Sequence, residues 1–521
     1  MEKDYYSNIK PLLNKMKDLN LIDSLQVIRK DLLPLQIGLN NKKKNIMFYN
    51  AITIKPYFAD FLIANLLKYS NTFTLHNSLK DLRIKKYYIE EITKINNIVN
   101  EQSIQENHIS TWLKSYIFNQ YKMQFAIHPF IILYRYYYLF QSDNIKKHIE
   151  EEIHIKLEHY WNSIICIFQK YCNSFYISKK AIYEESNNQP PFQIAKTISL
   201  FSISLNNLIL CTKDYISKTN QPYTQHRIFN YYDETPHIQY PIFEYQDAYY
   251  CIAPIYLFNA AISGLYYRII NQNNNNLQTE LGTNFENYIG LQLNYYLKNS
   301  QIQFMPEFTY NKGQNKSSDW ILLDDSNLLF LECKLKRLTV NGKRNLQFDY
   351  QLIEQAIKKQ WIKNRNSKKE YIDKLESSLT KDIIVLGIGI GKVYKTYNDY
   401  YTNKITGLPY NSNRKFHVCF LTLEETYTNE PHIKEQIIKV AQGYINLHSI
   451  QQEINIDDIT IVSCSWFESH IPILTKVGLR NIFSTNESNY PKSHISNQCI
   501  TELFYEKLAN PIKQNKLSRN N

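Results

Sequence analysis

The chain has 521 residues and a formal net charge of +12, from 60 Lys and Arg against 48 Asp and Glu. An apolar fraction of 44% is enough to build hydrophobic cores, which excludes a disordered chain. At this length two or three domains are expected.

Gly is scarce at 12 and Tyr abundant at 43, and Asn, Ile and Lys are also frequent. That bias points to AT-rich coding more than to a stacking surface. The eight cysteines are scattered and form no C-x-x-C pair, so no zinc ribbon is expected. Together with a charged N-terminus, MEKDYYSNIK, this fits a reducing cytoplasm. The longest uncharged stretch, Tyr249 to Tyr267, contains Pro254, Asn259 and Ser263. It reads as a buried strand and helix and not as a membrane span.

In chain order, residues 1–215 read as a largely helical domain. Amphipathic spacing begins at Leu12, Leu13 and Met16 and recurs around 56–70, 84–99, 110–141, 144–173 and 192–218. His148, Glu152 and His159 fall near one helical face, but they lie in an alternating-charge surface, so no metal site is assigned. Arg135 and Lys122 stand among aromatics. That pattern fits either nucleic-acid contact or stems lying over a core.

Residues 216–275 change character. Pro222, Pro236 and Pro241 break helices, and YPIFEYQDAYYCIAPI predicts two short strands about a Gln246-Asp247 turn. This is read as a small β-containing bridge, with NQNNNNLQ at 271–278 as the linker. Residues 276–521 then predict helix 283–298, strands 301–310, 319–323 and 328–336, and helix 346–364. Strands 382–394 and 415–423, helix 432–448 and strand 458–465 follow. The alternation predicts a mixed sheet flanked by helices, and the whole chain is α+β and multidomain. Gly387, Gly389 and Gly391 would share one face of strand 382–394, which close packing of a helix explains best. Glu468, in CSWFESHIP, could orient a neighbour.

The chemistry concentrates in Ser318 to Arg337, SDWILLDDSNLLFLECKLKR. Two apolar runs flank the turn Asp324-Asp325-Ser326-Asn327. With Leu323 opposite Leu328, Asp319 falls opposite Glu332. Alternation puts Glu332, Lys334 and Asp319 on one face. Both faces of the hairpin are otherwise apolar, which predicts burial, and converging buried carboxylates need a cation. Carboxylates plus water suit Mg²⁺. The competing reading is an edge hairpin with a surface Glu332–Lys334 ion pair, which the two-sided apolarity opposes. From Lys334 to Lys369 there are eleven Lys or Arg against Asp349 and Glu354, a patch suited to a polyanion.

Asp319, a hairpin and then Glu332-Cys333-Lys334 resemble the D…ExK core of the PD-(D/E)xK, or restriction-endonuclease-like, nucleases. Upstream, Gly282-Thr283-Asn284-Phe285-Glu286 resembles the acidic first helix of the branch with Holliday-junction resolvases and Mrr-like enzymes. Downstream, Gln355 matches the polar position after ExK. Ser318 stands where the family name has Pro. The resemblance covers roughly residues 276–480. It implies a Mg²⁺-dependent endonuclease, with Mn²⁺ able to substitute, acting on DNA more often than RNA. Asp319, Glu332 and the backbone carbonyl of Cys333 would hold the metal, with Glu286 completing its shell. Lys334 would neutralise charge or steer water, and Gln355 would position one of these groups. Lys336, Arg337, Lys343, Arg344, Lys358 and Lys359 would contact nucleic acid. By analogy a homodimer, a protein partner for the N-terminal half and a bacterial antiviral defence setting are expected. The alternative is a catalytically inactive nucleic-acid-binding or protein-interaction scaffold.

Overall fold

In the computed structural model the described residues are 14–29, 56–70, 72, 129–188, 193–218, 235–270, 275–335, 349–358, 379–405, 407–424, 431–483 and 497–509. Helix and sheet are mixed, as the α+β reading expects. In chain order the helices include α1 (Pro129–Leu139), α2 (Leu157–Asn173), α3 (Pro254–Ile270), α4 (Asn275–Leu297), α5 (Tyr350–Lys358), α6 (Leu379–Tyr401), α7 (Pro431–Leu447), α8 (Cys464–His470) and α9 (Gln498–Phe504). The chain divides into two compact units, one of residues 1–124 and 146–273, the other of 125–145 and 274–521.

The first unit is built on α2, whose inner face buries Tyr160, Trp161, Ile164, Ile167 and Phe168. It packs on α3, where Tyr160 donates to the Ala261 carbonyl at 2.5 Å and Phe168 meets Phe258. Beside them lies a four-stranded sheet of β1 (Tyr176–Ser178), β2 (Ser202–Ser204), β3 (Ile242–Tyr245) and β4 (Ala248–Cys251), in the order β1-β4-β3-β2. The predicted hairpin about Gln246-Asp247 is β3–β4. Its outer partners β1 and β2 come from before residue 216, so one sheet spans the boundary drawn from the sequence. The stretch 249–267 is strand and buried helix, and no helix among the described residues is long and apolar enough to cross a membrane.

The second unit holds a five-stranded mixed sheet. Its strands are β5 (Gln303–Pro306), β8 (Trp320–Leu323), β9 (Asn327–Lys334), β10 (Lys415–Thr422) and β11 (Ile459–Ser463), ordered β11-β10-β9-β8-β5. β9, β10 and β11 are parallel, while β8 runs antiparallel to β9 and β5 to β8. Helices α5 and α6 connect β9 to β10, and α7 connects β10 to β11. Ile321, Leu322 and Leu323 and all of Leu328 to Leu331 are at most 1% exposed, as strands covered on both sides must be. The predicted strand 301–310 breaks after Pro306, and β6 (Thr309–Tyr310) pairs instead with β7 (Asn315–Lys316) in a separate small hairpin.

Two element predictions are corrected. The strand expected at 382–394 is part of α6, a 23-residue helix. Leu386 to Gly391 alternates like a strand, but Gly387 and Gly391 are four apart and share a helix face. A Cβ on Gly387 would lie 2.5 Å from Val440 Cβ and 2.6 Å from the Ile437 carbonyl oxygen, and one on Gly391 2.5 Å from Tyr444 Cδ1. The glycines bring α6 onto α7, and that contact offsets their helix cost of about 1 kcal/mol each. The second correction is at the linker. Helix α4 begins at Asn275, not Thr283, so the asparagine run enters the helix instead of ending before it.

Candidate active site at the end of the β8–β9 hairpin

The turn fixes the register. Asp324 Oδ1 accepts from the backbone N–H groups of Ser326 at 2.8 Å and Asn327 at 2.7 Å, and Arg414 Nε donates to the Asp324 carbonyl at 2.8 Å. This Asx turn sets Leu323 opposite Leu328 and carries the ladder to Trp320 opposite Leu331. One step further the ladder continues through a side chain. Asp319 Oδ2 accepts from the Cys333 N–H at 2.6 Å. A strand residue's N–H and C=O point to the same edge, so the Cys333 carbonyl also faces the β8 side.

Glu332 and Lys334 alternate with Cys333 on β9 and share a face. Lys334 Nζ lies 2.6 Å from Glu332 Oε1 and 3.7 Å from Asp319 Oδ2. The Asp319 and Glu332 side chains are only 12% and 19% exposed, and Lys334 is 39% exposed. One cation thus faces two largely buried carboxylates. Asp319 records the deficit. Its carboxyl is pushed up to about 7, first by burial and then by the Glu332 charge, with Glu286 adding to the rise and Lys334 opposing it. Burial alone would lower the Lys334 ammonium, but Glu332 and Asp319 outweigh it and hold the lysine charged.

Glu286 comes from α4. Gly290, one turn on, lets the helix close on the sheet, since a Cβ there would sit 2.2 Å from Trp320 Cζ2. Trp320 Nε1 donates to the Glu286 carbonyl at 3.1 Å. The half-buried Glu286 carboxyl is raised, chiefly by burial, and it feels Lys334, Glu307 and Glu332. Four of the residues singled out from the sequence therefore gather at one end of one hairpin.

Gln355 is exposed on α5, whose inner residues Ile353 and Ala356 are buried, and its side chain makes no hydrogen bond to the described residues. Lys336, Arg337, Lys343, Arg344 and Lys359 lie outside the described residues, as does the side chain of Lys358. Among the described residues no group of three or more His, Cys, Asp or Glu is set to hold a metal ion, which applies equally to His148, Glu152 and His159. A cation at the hairpin would have the Asp319 and Glu332 carboxylates, the Cys333 carbonyl and water. That donor set suits Mg²⁺, which binds through one or two carboxylates and keeps several waters. It also suits the electrostatics, because a divalent charge would supply what Lys334 alone does not.

Sequence reasoning left a second ionic cluster unassembled. Arg135 of α1 is 3% exposed and Glu468 of α8 is 0% exposed. They form a two-pronged pair, with Arg135 Nε at 2.8 Å from Glu468 Oε1 and Nη2 against Oε2. Tyr288 of α4 donates to Glu468 Oε1 at 2.6 Å. Arg135 is thus an internal group of the second unit. The signal was a lone charge in PFIILYRYYYL, an otherwise apolar helix, which demands a buried partner. No protein-family model, curated protein or solved structure matches the chain.

Proposed function

We propose that the chain is a metal-dependent nuclease of the PD-(D/E)xK kind that hydrolyses phosphodiester bonds, in DNA in preference to RNA. The observation that supports this best is the β8–β9 register, which sets Asp319 against Glu332 with Lys334 2.6 Å from Glu332. The acid pair has less positive charge than it needs, at the carboxyl end of the parallel strand β9. Open sheets characteristically bind ligands at the carboxyl ends of their strands.

Asp319, Glu332 and the Cys333 carbonyl would hold Mg²⁺ or Mn²⁺, with Glu286 joining directly or through water. The ion would polarise the scissile phosphate and lower the pKa of an attacking water. Lys334 is held protonated by its two carboxylates, so it serves as a fixed cation near developing phosphate charge and not as a base. Asp319 must give up its proton before it can serve as a ligand, so binding of the ion tightens as pH rises through about 7. The Lys- and Arg-rich stretch after Lys334 supplies the polyanion contact, which makes binding salt-sensitive. The first unit, which shows none of this chemistry among its described residues, is assigned a sensing, partner-binding or regulatory role. An antiviral setting and a dimeric state belong to the same proposal.

The test is cleavage of supercoiled plasmid by the wild type and by Glu332→Ala with Mg²⁺, Mn²⁺ or EDTA. Nicking or linearisation that requires metal and disappears in the variant is the expected result. Cleavage that survives in Glu332→Ala would sink the assignment of the site. Binding without cleavage by the wild type would favour the scaffold reading.

A further inference from the structure

We propose that Arg135, Tyr288 and Glu468 are positioning residues for the hairpin site, fixing the helix that carries Glu286 against the strand end that carries Lys334. The proposal rests on the nuclease reading for its metal-binding arm alone.

Two paths lead from the buried pair to the site. The first is through α4. Glu468 accepts from Tyr288, which is two residues after Glu286. At about 100° per residue, Tyr288 and Glu286 point to nearly opposite sides of α4. The helix is therefore held on one side by Trp320 and on the other by Glu468. Asn284 of α4 adds a further tie, donating to the Leu139 carbonyl at 2.8 Å and the Ser142 hydroxyl at 3.0 Å at the end of α1. The second path is through the sheet. Arg135 Nη1 donates to the Leu423 carbonyl at 3.4 Å, and the Leu423 N–H donates to the Lys334 carbonyl at 3.2 Å. The peptide of Lys334 is thus two hydrogen bonds from Arg135.

The chemistry demands arginine. Arg135 uses Nε and Nη2 on Glu468, Nη2 again on Ser465 Oγ at 2.9 Å, and Nη1 on Leu423. Only a planar fork with fixed donors reaches three residues on two segments at once, Ser465 and Glu468 of α8 and Leu423 after β10, and a lysine ammonium cannot. Glu468 is matched in turn, since Cys464 Sγ also lies 3.4 Å from Oε1 and Asn497 Nδ2 donates to the Glu468 backbone carbonyl at 2.9 Å. Buried ion pairs of this kind add little net stability over apolar packing, so what they contribute is arrangement. Arg135 also sits in residues 125–145, and the chain on either side of that stretch forms the first unit. The chain therefore passes from the first unit into the second twice, ahead of α1 and ahead of α4.

The test uses the full chain. Tyr288→Phe removes only a hydroxyl, and Arg135→Met with Glu468→Leu replaces the pair by apolar side chains of similar volume. Thermal unfolding, Mn²⁺ titration by calorimetry and hydrogen exchange of peptides covering 284–290 and 331–335 are measured together. Both variants are expected to unfold near the wild-type temperature, bind Mn²⁺ about tenfold more weakly and exchange faster in those two peptides. Wild-type Mn²⁺ affinity and wild-type exchange in both variants would overturn the proposal. A wild type that binds no Mn²⁺ overturns the nuclease reading instead, and the exchange arm then decides the positioning role alone.

Discussion

The second unit holds two ionic clusters built from the same residue types to opposite ends. At Arg135–Glu468 one cation meets one carboxylate, both are at most 3% exposed, and the contacts run through a closed set of donors. At the hairpin one lysine meets two carboxylates, with Glu286 close enough to raise Asp319 further, and Lys334 remains 39% exposed. The first cluster is balanced and sealed. The second is short of positive charge and open. Unbalanced, partly exposed ionic groups with shifted proton affinity are the ones that chemistry uses, whereas a balanced buried pair holds elements in place.

The largest expected effect separates the two clusters by stability. Arg135→Met alone leaves Glu468 charged and buried without its partner, and should cost about 3–5 kcal/mol. Lys334→Met removes a partly exposed lysine from an acidic pair and should cost under about 1 kcal/mol, while abolishing metal-dependent cleavage. Urea denaturation of both variants checks the contrast, and equal losses would erase the distinction between the clusters. A fragment of residues 276–521 lacks α1 and with it the guanidinium that neutralises Glu468. It should fail to give a cooperative unfolding transition unless residues 125–145 are restored.

Next in size is the packing that places the sheet under its helices. Gly387→Val in α6 would drive new carbons into Val440 and the Ile437 carbonyl of α7. A loss of about 1–3 kcal/mol is expected, with the Mn²⁺ affinity of the folded fraction unchanged. Stability at the wild-type level would mean that α6 and α7 do not meet at these glycines.

That contact also shows where sequence reading ran out. The β8–β9 hairpin was legible because its register is set by local groups, with Arg414 only adding a distant tie to the turn. Asp324 caps its own turn, the apolar runs are matched in length, and the register then follows residue by residue. Helix α6 was not legible, because its alternation of Ile and Gly mimics a strand and the surface its glycines fit lies some fifty residues away on α7. The Asn275 start of α4 was hidden by a run of asparagines that has no strong preference of its own, and the buried face from Leu277 to Leu297 overrides it. Arg135 and Glu468 are 333 residues apart, and no local pattern pairs them. Gln355 lies on the outward side of α5, since Ile353 and Ala356 turn the other face inward, and that facing is not readable from its spacing after Lys334.

A smaller effect tests the charge deficit directly. Millimolar Mg²⁺ or Mn²⁺ should raise the thermal midpoint of the wild type at pH 8, because a ligand that binds only the folded state stabilises it by mass action. Glu332→Ala should lose that rise. Ca²⁺ should also stabilise, because it too takes carboxylate and carbonyl oxygens. An equal rise in the variant would locate the cation elsewhere.

The last effect is modest in size but distinctive in sign. The Asp319 carboxyl sits at about 7 when folded, well above its ordinary value of 3.8. Between those limits the folded chain keeps a proton that the unfolded chain releases. The unfolded state then binds fewer protons, so stability falls as pH rises through the window, and the full penalty is present above about 7. Asparagine cannot ionise and can still accept the Cys333 N–H through its carbonyl oxygen. Asp319→Asn should therefore gain on the order of 2 kcal/mol over the wild type at pH 8 without divalent metal, and little at pH 4. Adding Mg²⁺ at pH 8 should reverse the order, because the wild type gains a bound ion and the variant does not. Urea midpoints at the two pH values, with and without Mg²⁺, give all four comparisons. A variant that is less stable than the wild type in all four would mean that Asp319 belongs with Glu468, a carboxylate whose charge the fold has already matched.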